Sequence, residues 1–102
     1  MDIRCRHEGT TTRLLLDGEL DLASAPLLAE HVDRELAARQ VQRLMVDLAE
    51  VTFCDSAGIE ALLAARIAAT EHAATLRAIN ATGLTRRTLE ITGMLDFLSG
   101  TD

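Results

Sequence analysis

Val46-Asp47-Leu48-Ala49-Glu50-Val51-Thr52-Phe53-Cys54-Asp55-Ser56-Ala57-Gly58-Ile59 joins a short apolar run to an Asp-Ser pair. The run Leu44 to Leu48 predicts a central strand buried on both faces. Ala49 to Asp55 reads as a loop, and a helix is expected from about Ser56. Ile59, Leu62, Leu63 and Ile67 would share one face of that helix. The Ala-rich stretch through Ala69 has high helix propensity. A buried strand therefore ends, the chain crosses its C-terminal edge, and a helix begins. In open α/β sheets that edge is a common place for sites.

Working outward, Ile3, Cys5 and His7 alternate with Arg4 and Arg6, which predicts a strand with one buried face. Glu8-Gly9-Thr10 can turn the chain into a second strand, Thr12 to Asp17, completing a hairpin. Gly18-Glu19-Leu20-Asp21 leads out of the sheet. Ser24 as N-cap and Pro26 in the first turn open a helix. Its apolar face is Leu28, Val32 and Leu36, and it ends near Arg39-Gln40. Thr75 to Asn80 is a further strand. A third helix begins at Leu84-Thr85, with Thr85 as cap and Leu84 packed on Leu89. Gly93 suits the left-handed residue that ends it. Asp96-Phe97-Leu98 reads as a last short strand. The expected order is β-β-α-β-α-β-α with a final β. Right-handed crossovers then make neighbouring strands parallel, and the hairpin adds an antiparallel pair. The expected fold class is α/β, a mixed four- to five-stranded sheet with helices packed mainly on one side, in one domain over 1–102.

The 102 residues suit one core, and that core must be aliphatic, because Phe53 and Phe97 are the only aromatics. Ten Arg and no Lys face sixteen acids, for a net charge of -6. Such a surface repels nucleic acid phosphates and anionic membranes. No apolar run approaches the roughly 20 residues that span a bilayer. Met1-Asp2-Ile3-Arg4 lacks a signal-peptide h-region. A cytoplasmic protein is expected, with Cys5 and Cys54 as free thiols. His7, His31 and His72 show no metal spacing, so neither a metal nor a cofactor is expected. P-loop, G-x-G-x-x-G and G-x-S-x-G signatures are missing, which argues against an enzyme. A small serine hydrolase on Ser56 would need a triad and an oxyanion site that the sequence does not supply.

Ser56 would sit where backbone N–H groups at a helix start are unpaired and favour anions. A phosphate there would add about -1.5 to -2 charges at neutral pH. From the local pattern alone, a plain helix N-cap is the favoured reading of the Asp-Ser pair. Asp55 either caps the helix or orients the Ser56 hydroxyl. Cys54 reads as a small buried residue and Thr52 as a loop-lining one. Asp47, an acid in an apolar run, either marks the strand's edge or holds the following loop through backbone N–H groups. Arg86-Arg87 reads as a solvated face.

Four segments, in order, resemble the STAS family of the bacterial anti-sigma factor antagonist type. Gly18-Glu19-Leu20-Asp21 is similar to the family's G-E-[LI]-D. Leu44 to Gly58 is similar to its strand-loop block ending D-S-x-G. Ile59-Glu60-Ala61-Leu62-Leu63 resembles the apolar start of the next helix, and Leu89-Glu90-Ile91-Thr92-Gly93-Met94 the closing L-x-x-[TS]-G-[LM]. The resemblance implies a STAS (SpoIIAA-like) fold. It implies phosphorylation on Ser56 by an anti-sigma factor serine kinase of the histidine-kinase-like ATPase fold. It also implies removal of that phosphate by a PPM-type serine phosphatase. The unphosphorylated protein would bind the kinase and free the sigma factor, regulating transcription by partner switching. Glu19, Leu20, Asp21, Asp55, Ser56, Ala57 and Gly58 would then form the partner-binding surface. Ala57 replaces a second Ser found in many members, which leaves Ser56 the only acceptor in the motif. The short tail implies that a last helix carried by some members is absent. The alternative is a phosphorylation-independent STAS scaffold subunit of a transporter or stress-signalling complex.

Overall fold

The computed structural model describes residues 1–100. Strands β1 (Asp2–Glu8) and β2 (Thr11–Leu20) form the expected antiparallel hairpin. Helix α1 (Ala25–Ala38) carries the chain to β3 (Arg43–Cys54), which pairs in parallel with β2. Helix α2 (Ser56–Glu71) carries it on to β4 (Thr75–Ile79), parallel to β3. The result is one mixed four-stranded sheet in the order β1-β2-β3-β4. Helices α3 (Gly83–Ile91) and α4 (Met94–Ser99) complete the described chain.

Strand alternation divides the sheet into two unlike faces. Leu14, Leu16, Leu44, Val46, Leu48, Leu76 and Ala78 are buried on one. Helix α1 adds Leu28, Val32 and Leu36 to this core, and α2 adds Ile59, Leu62, Ala65 and Ala69. The opposite face carries Arg4, Arg6, Arg13, Arg43 and Arg77, at the intervening positions. The core is aliphatic, as expected, with Phe53 and Phe97 left 40% and 43% exposed. Burying each leucine contributes roughly 1.5–3 kcal/mol.

The segment Ala49 to Asp55 is not the expected loop, because β3 continues through Cys54. Two register shifts explain the misreading. From Leu15 to Asp17 on β2, β3 advances from Asp47 to Glu50, and from Gly18 to Glu19 it advances from Val51 to Phe53. Each shift places an extra residue in β3, which is the definition of a β-bulge and breaks the alternation that announces a strand. Asp47 serves this irregularity. Its Oδ1 accepts the Ala49 N–H at 3.0 Å, its Oδ2 accepts from Asn80 Nδ2 at 3.2 Å, and Arg13 lies 3.6 Å away. The acid in the apolar run thus holds the backbone that follows it, within a strand rather than a loop.

Three further expectations are corrected. Ile67 is 63% exposed rather than buried. It follows Leu62 by five residues, which at 100° per residue sets it about 140° around the helix from the buried face. Thr82, not Thr85, is the N-cap residue of α3, and Leu84 is 63% exposed, so the expected Leu84–Leu89 contact does not anchor that helix. The Asp96-Phe97-Leu98 segment lies in helix α4, entered through Gly93 at φ 75°, so the chain does carry a short helix after α3. A six-residue helix is too short to show a 3.6-residue period.

Thr85 has a different role: fully buried, it donates its hydroxyl to the Val51 carbonyl at 2.9 Å, tying α3 to the second bulge of β3. Thr85→Val keeps the shape and removes the bond. It should cost about 1–2 kcal/mol, read as a fall of roughly 4–16 °C in the unfolding midpoint. An unchanged midpoint would show that the bond contributes nothing.

Candidate functional site

The ends of β2 and β3 and the start of α2 meet at one edge of the sheet. Leu20 pairs with Cys54, and the Asp55 N–H reaches the Leu20 carbonyl at 3.3 Å. Two of the sequence motifs, Gly18-Glu19-Leu20-Asp21 and Asp55-Ser56-Ala57-Gly58, are therefore direct neighbours. Gly58 makes that approach possible. A Cβ there would lie 2.3 Å from the Leu20 carbonyl oxygen and 2.8 Å from Cys54 Sγ.

Asp55 is the N-cap of α2, and its Oδ1 accepts the Gly58 N–H at 2.9 Å. Asp55→Ala should destabilise the protein by about 1 kcal/mol, measurable by urea unfolding. Ser56 is the first helical residue and is exposed, and no hydrogen bond holds its hydroxyl among the described residues. The geometry therefore assigns the cap to Asp55 and leaves Ser56 accessible beside the N–H groups of the first turn. Those groups carry the positive end of the helix dipole.

The other motif folds as a built turn. Asp21 Oδ1 accepts from the Ala23 and Ser24 N–H groups at 3.0 and 3.1 Å. Ser24 occupies the expected N-cap position of α1, but its hydroxyl does not cap the helix. Instead it donates to the Glu19 carbonyl at 2.7 Å and accepts the Asp21 N–H at 2.9 Å. Of the expected surface residues here, Glu19 is exposed and Asp21 half-buried. Leu20 is fully buried, and Gly58 is buried as well. Leu20 therefore meets no partner through its side chain; it locks the turn to the sheet. The exposed apolar residue of this turn is Leu22, 77% exposed, which sequence reasoning passed over. An apolar residue outside any periodic run was the available signal.

Leu22, Pro26 and Ala29 on one side and Ala57, Glu60 and Ala61 on the other line an open groove of about 460 Å³ between α1 and α2. Its α2 wall starts at the residue after Ser56. Small side chains and one exposed leucine make it mostly apolar, with Glu60 and Asp33 at its margin.

Cys54 is 2% exposed. Burial, and then the Asp55 charge, push its thiol up to about 11, so it stays protonated and unreactive at neutral pH. Thr52 is exposed on β3, with its hydroxyl 3.4 Å from the Gly18 carbonyl. His31 and His72 each bond the carbonyl four residues earlier in their own helices. His7 departs from the sequence reading. It joins Cys5 and the buried Glu35 of α1 in one cluster. Burial and then Glu35 raise the Cys5 thiol to about 11. Burial would raise the Glu35 carboxyl, but hydrogen bonds from His7 and Cys5 and the charges of His7 and Arg39 outweigh it and hold the carboxyl below its ordinary value.

A four-stranded mixed sheet whose apolar face is packed by helices, and a bulged third strand delivering a serine to a helix start, defines a STAS-type domain. Residues 3–99 match the family model described as "Mlab, STAS domain", and the chain belongs to that family. An anti-sigma factor antagonist from Mycobacterium paratuberculosis superimposes with a TM-score of 0.79 at 24% identity, over 94% of this chain and 80% of that one. The phosphorylated Bacillus cell fate determinant SpoIIAA gives 0.66 at 19% identity, over 91% and 85%. The murine Solute Carrier 26 family member A9 anion transporter gives 0.76 at 14% identity, over 94% of this chain and 16% of that one. At these identities the likeness is one of fold. No curated protein matches the chain in sequence. Among the described residues no helix is long and apolar enough to cross a membrane.

Proposed function

We propose that this chain is a cytoplasmic anti-sigma factor antagonist, a binding module rather than an enzyme, inactivated by phosphorylation of Ser56. The observation that carries this reading is the exposed Ser56 hydroxyl at the start of α2, free of the capping role that Asp55 fills. In its unmodified form the protein binds an anti-sigma factor serine kinase through Glu19, Asp21, Ser56, Ala57 and the adjoining groove, and so releases the sigma factor. A PPM-type phosphatase reverses the modification. Phosphate on Ser56 would meet unpaired N–H groups of the first turn, so it need not unfold the domain. It would add dense negative charge to a surface that already holds Glu19, Asp21, Asp55 and Glu60.

The test is incubation with candidate kinases and ATP, followed by mass spectrometry of the peptide containing Ser56. One phosphate on Ser56, absent from Ser56→Ala, is expected. Phosphate elsewhere, or none with any kinase of this class, contradicts the reading.

A second reading has its own support. The family description names Mlab, and the fold also recurs within an anion transporter. On that reading the chain is a STAS scaffold subunit of a transport complex and works without phosphorylation. Co-purification with a transporter subunit, unchanged by Ser56→Asp, would favour it over the switch.

A further inference from the structure

We propose that Cys5, His7 and Glu35 form a binding site for a borderline-soft divalent metal ion, with zinc the best match. Cys5 and His7 are two apart on β1, so both project from one face of the strand. That face looks onto α1, where Glu35 lies on the buried side of the helix with Leu28, Val32 and Leu36. Cys5 Sγ is 3.2 Å from His7 Nε2, and His7 Nε2 is 2.5 Å from Glu35 Oε1. The three donor atoms all lie within 4.8 Å of one another. Glu35 is 9% exposed, one of few charged residues in the core. A thiol, an imidazole and a carboxylate thus converge from two elements onto one point.

The donor set selects the metal. Sulfur and imidazole nitrogen suit zinc and its spectroscopic substitute cobalt(II), whereas magnesium and calcium require oxygen ligands. Metal–ligand bonds of about 2.0–2.3 Å in a tetrahedron place donors roughly 3.3–3.7 Å apart. The Cys5–His7 spacing of 3.2 Å is already close to that, while the His7–Glu35 contact must open from 2.5 Å, and the His7 side chain, 34% exposed, has room to move. Arg39 Nε also contacts Glu35 Oε1, at 3.2 Å. Its side chain is 42% exposed, so it can withdraw into water when a cation arrives. The Cys5 proton leaves to solvent as the sulfur–metal bond forms, and water completes the coordination.

The site lies far from Ser56 and does not depend on the switch. His7 pairs with Thr12 near the start of β2, while Cys54, two residues before Ser56, pairs with Leu20 at its end. The eight residues from Thr12 to Leu20 span about 26 Å of strand. A bound ion would clip the edge strand β1 to α1.

Cobalt(II) titration of untagged, reduced protein tests this directly. The expected result is a thiolate-to-cobalt charge-transfer band that saturates at one equivalent and is displaced by zinc. Cys5→Ser should abolish the band, and His7→Gln should weaken cobalt binding by roughly 10-fold or more. Zinc should raise the unfolding midpoint of the wild type but not of Cys5→Ser. A wild-type protein with no such band, or a band that survives in Cys5→Ser, would overturn the proposal. The wild-type measurement decides the matter even if a variant at Glu35 fails to fold.

Discussion

Ser56→Asp is expected to weaken binding to the partner kinase by about 100-fold or more, the equivalent of roughly 3 kcal/mol. The hydroxyl it replaces is exposed and bonded to no residue of the described structure, so little is lost within the domain itself. What changes is the proposed docking surface. A carboxylate there joins Glu19, Asp55 and Glu60, and burying it against a nucleotide-bearing partner would desolvate a charge without a counter-ion. Ser56→Ala removes the acceptor without adding charge. It should bind with wild-type affinity and resist phosphorylation. Isothermal titration of the three proteins against one kinase separates charge from shape. Equal affinity of Ser56→Asp and wild type would exclude a charge-controlled switch.

Gly58→Ala is expected to lower the unfolding midpoint by roughly 4–16 °C, for a net cost of about 1–2 kcal/mol. Two effects oppose each other. Within a helix, alanine is favoured over glycine by about 0.8–1 kcal/mol. Against this, the new Cβ would stand 2.3 Å from the Leu20 carbonyl oxygen and 2.8 Å from Cys54 Sγ. The first of these is backbone, locked in the sheet and already receiving the Asp55 N–H, so it cannot move aside as a flexible side chain would. Overpacking of this kind costs about 1–3 kcal/mol, and more where the backbone must shift. At about 4–8 °C per kcal/mol for a domain of this size, sterics outweigh propensity. Differential scanning calorimetry reads the sign. A midpoint equal to or above wild type would mean that α2 can slide away from β2, and that the two motifs are not rigidly joined. The substitution should also weaken kinase binding, because it displaces Ser56 relative to Glu19.

The glycine of the Asp55-Ser56-Ala57-Gly58 motif shows how sequence and structure divide the information. Its position in the motif was legible, but its reason, contact with a carbonyl on another strand, was not. The first strand and the face of α1 were legible because their periods of 2 and 3.6 are unbroken; the central run was legible by its apolar content, but only one of its faces joins the core, the other carrying Arg43, Met45 and Asp47. Strand β3 is not legible beyond Leu48, because its two bulges interrupt alternation at Ala49 and Thr52. Helix α4 is not legible as a helix, because Asp96-Phe97-Leu98 is too brief to show a period. At the candidate site, the helix start at Ser56 was read correctly from the Asp-Ser pair. Leu20 was placed on the surface because a motif gives order, not orientation. Cys5, His7 and Glu35 could not be joined from sequence, since Glu35 lies 28 residues beyond His7 and only the packing of α1 on β1 unites them.

The proposed switch is tested most directly by measuring the affinity of one preparation for a candidate kinase three times: unmodified, after stoichiometric phosphorylation of Ser56, and after phosphatase treatment. Tight binding, a loss of about 100-fold or more, and full recovery are predicted. Affinity that stays constant through all three states would contradict the account.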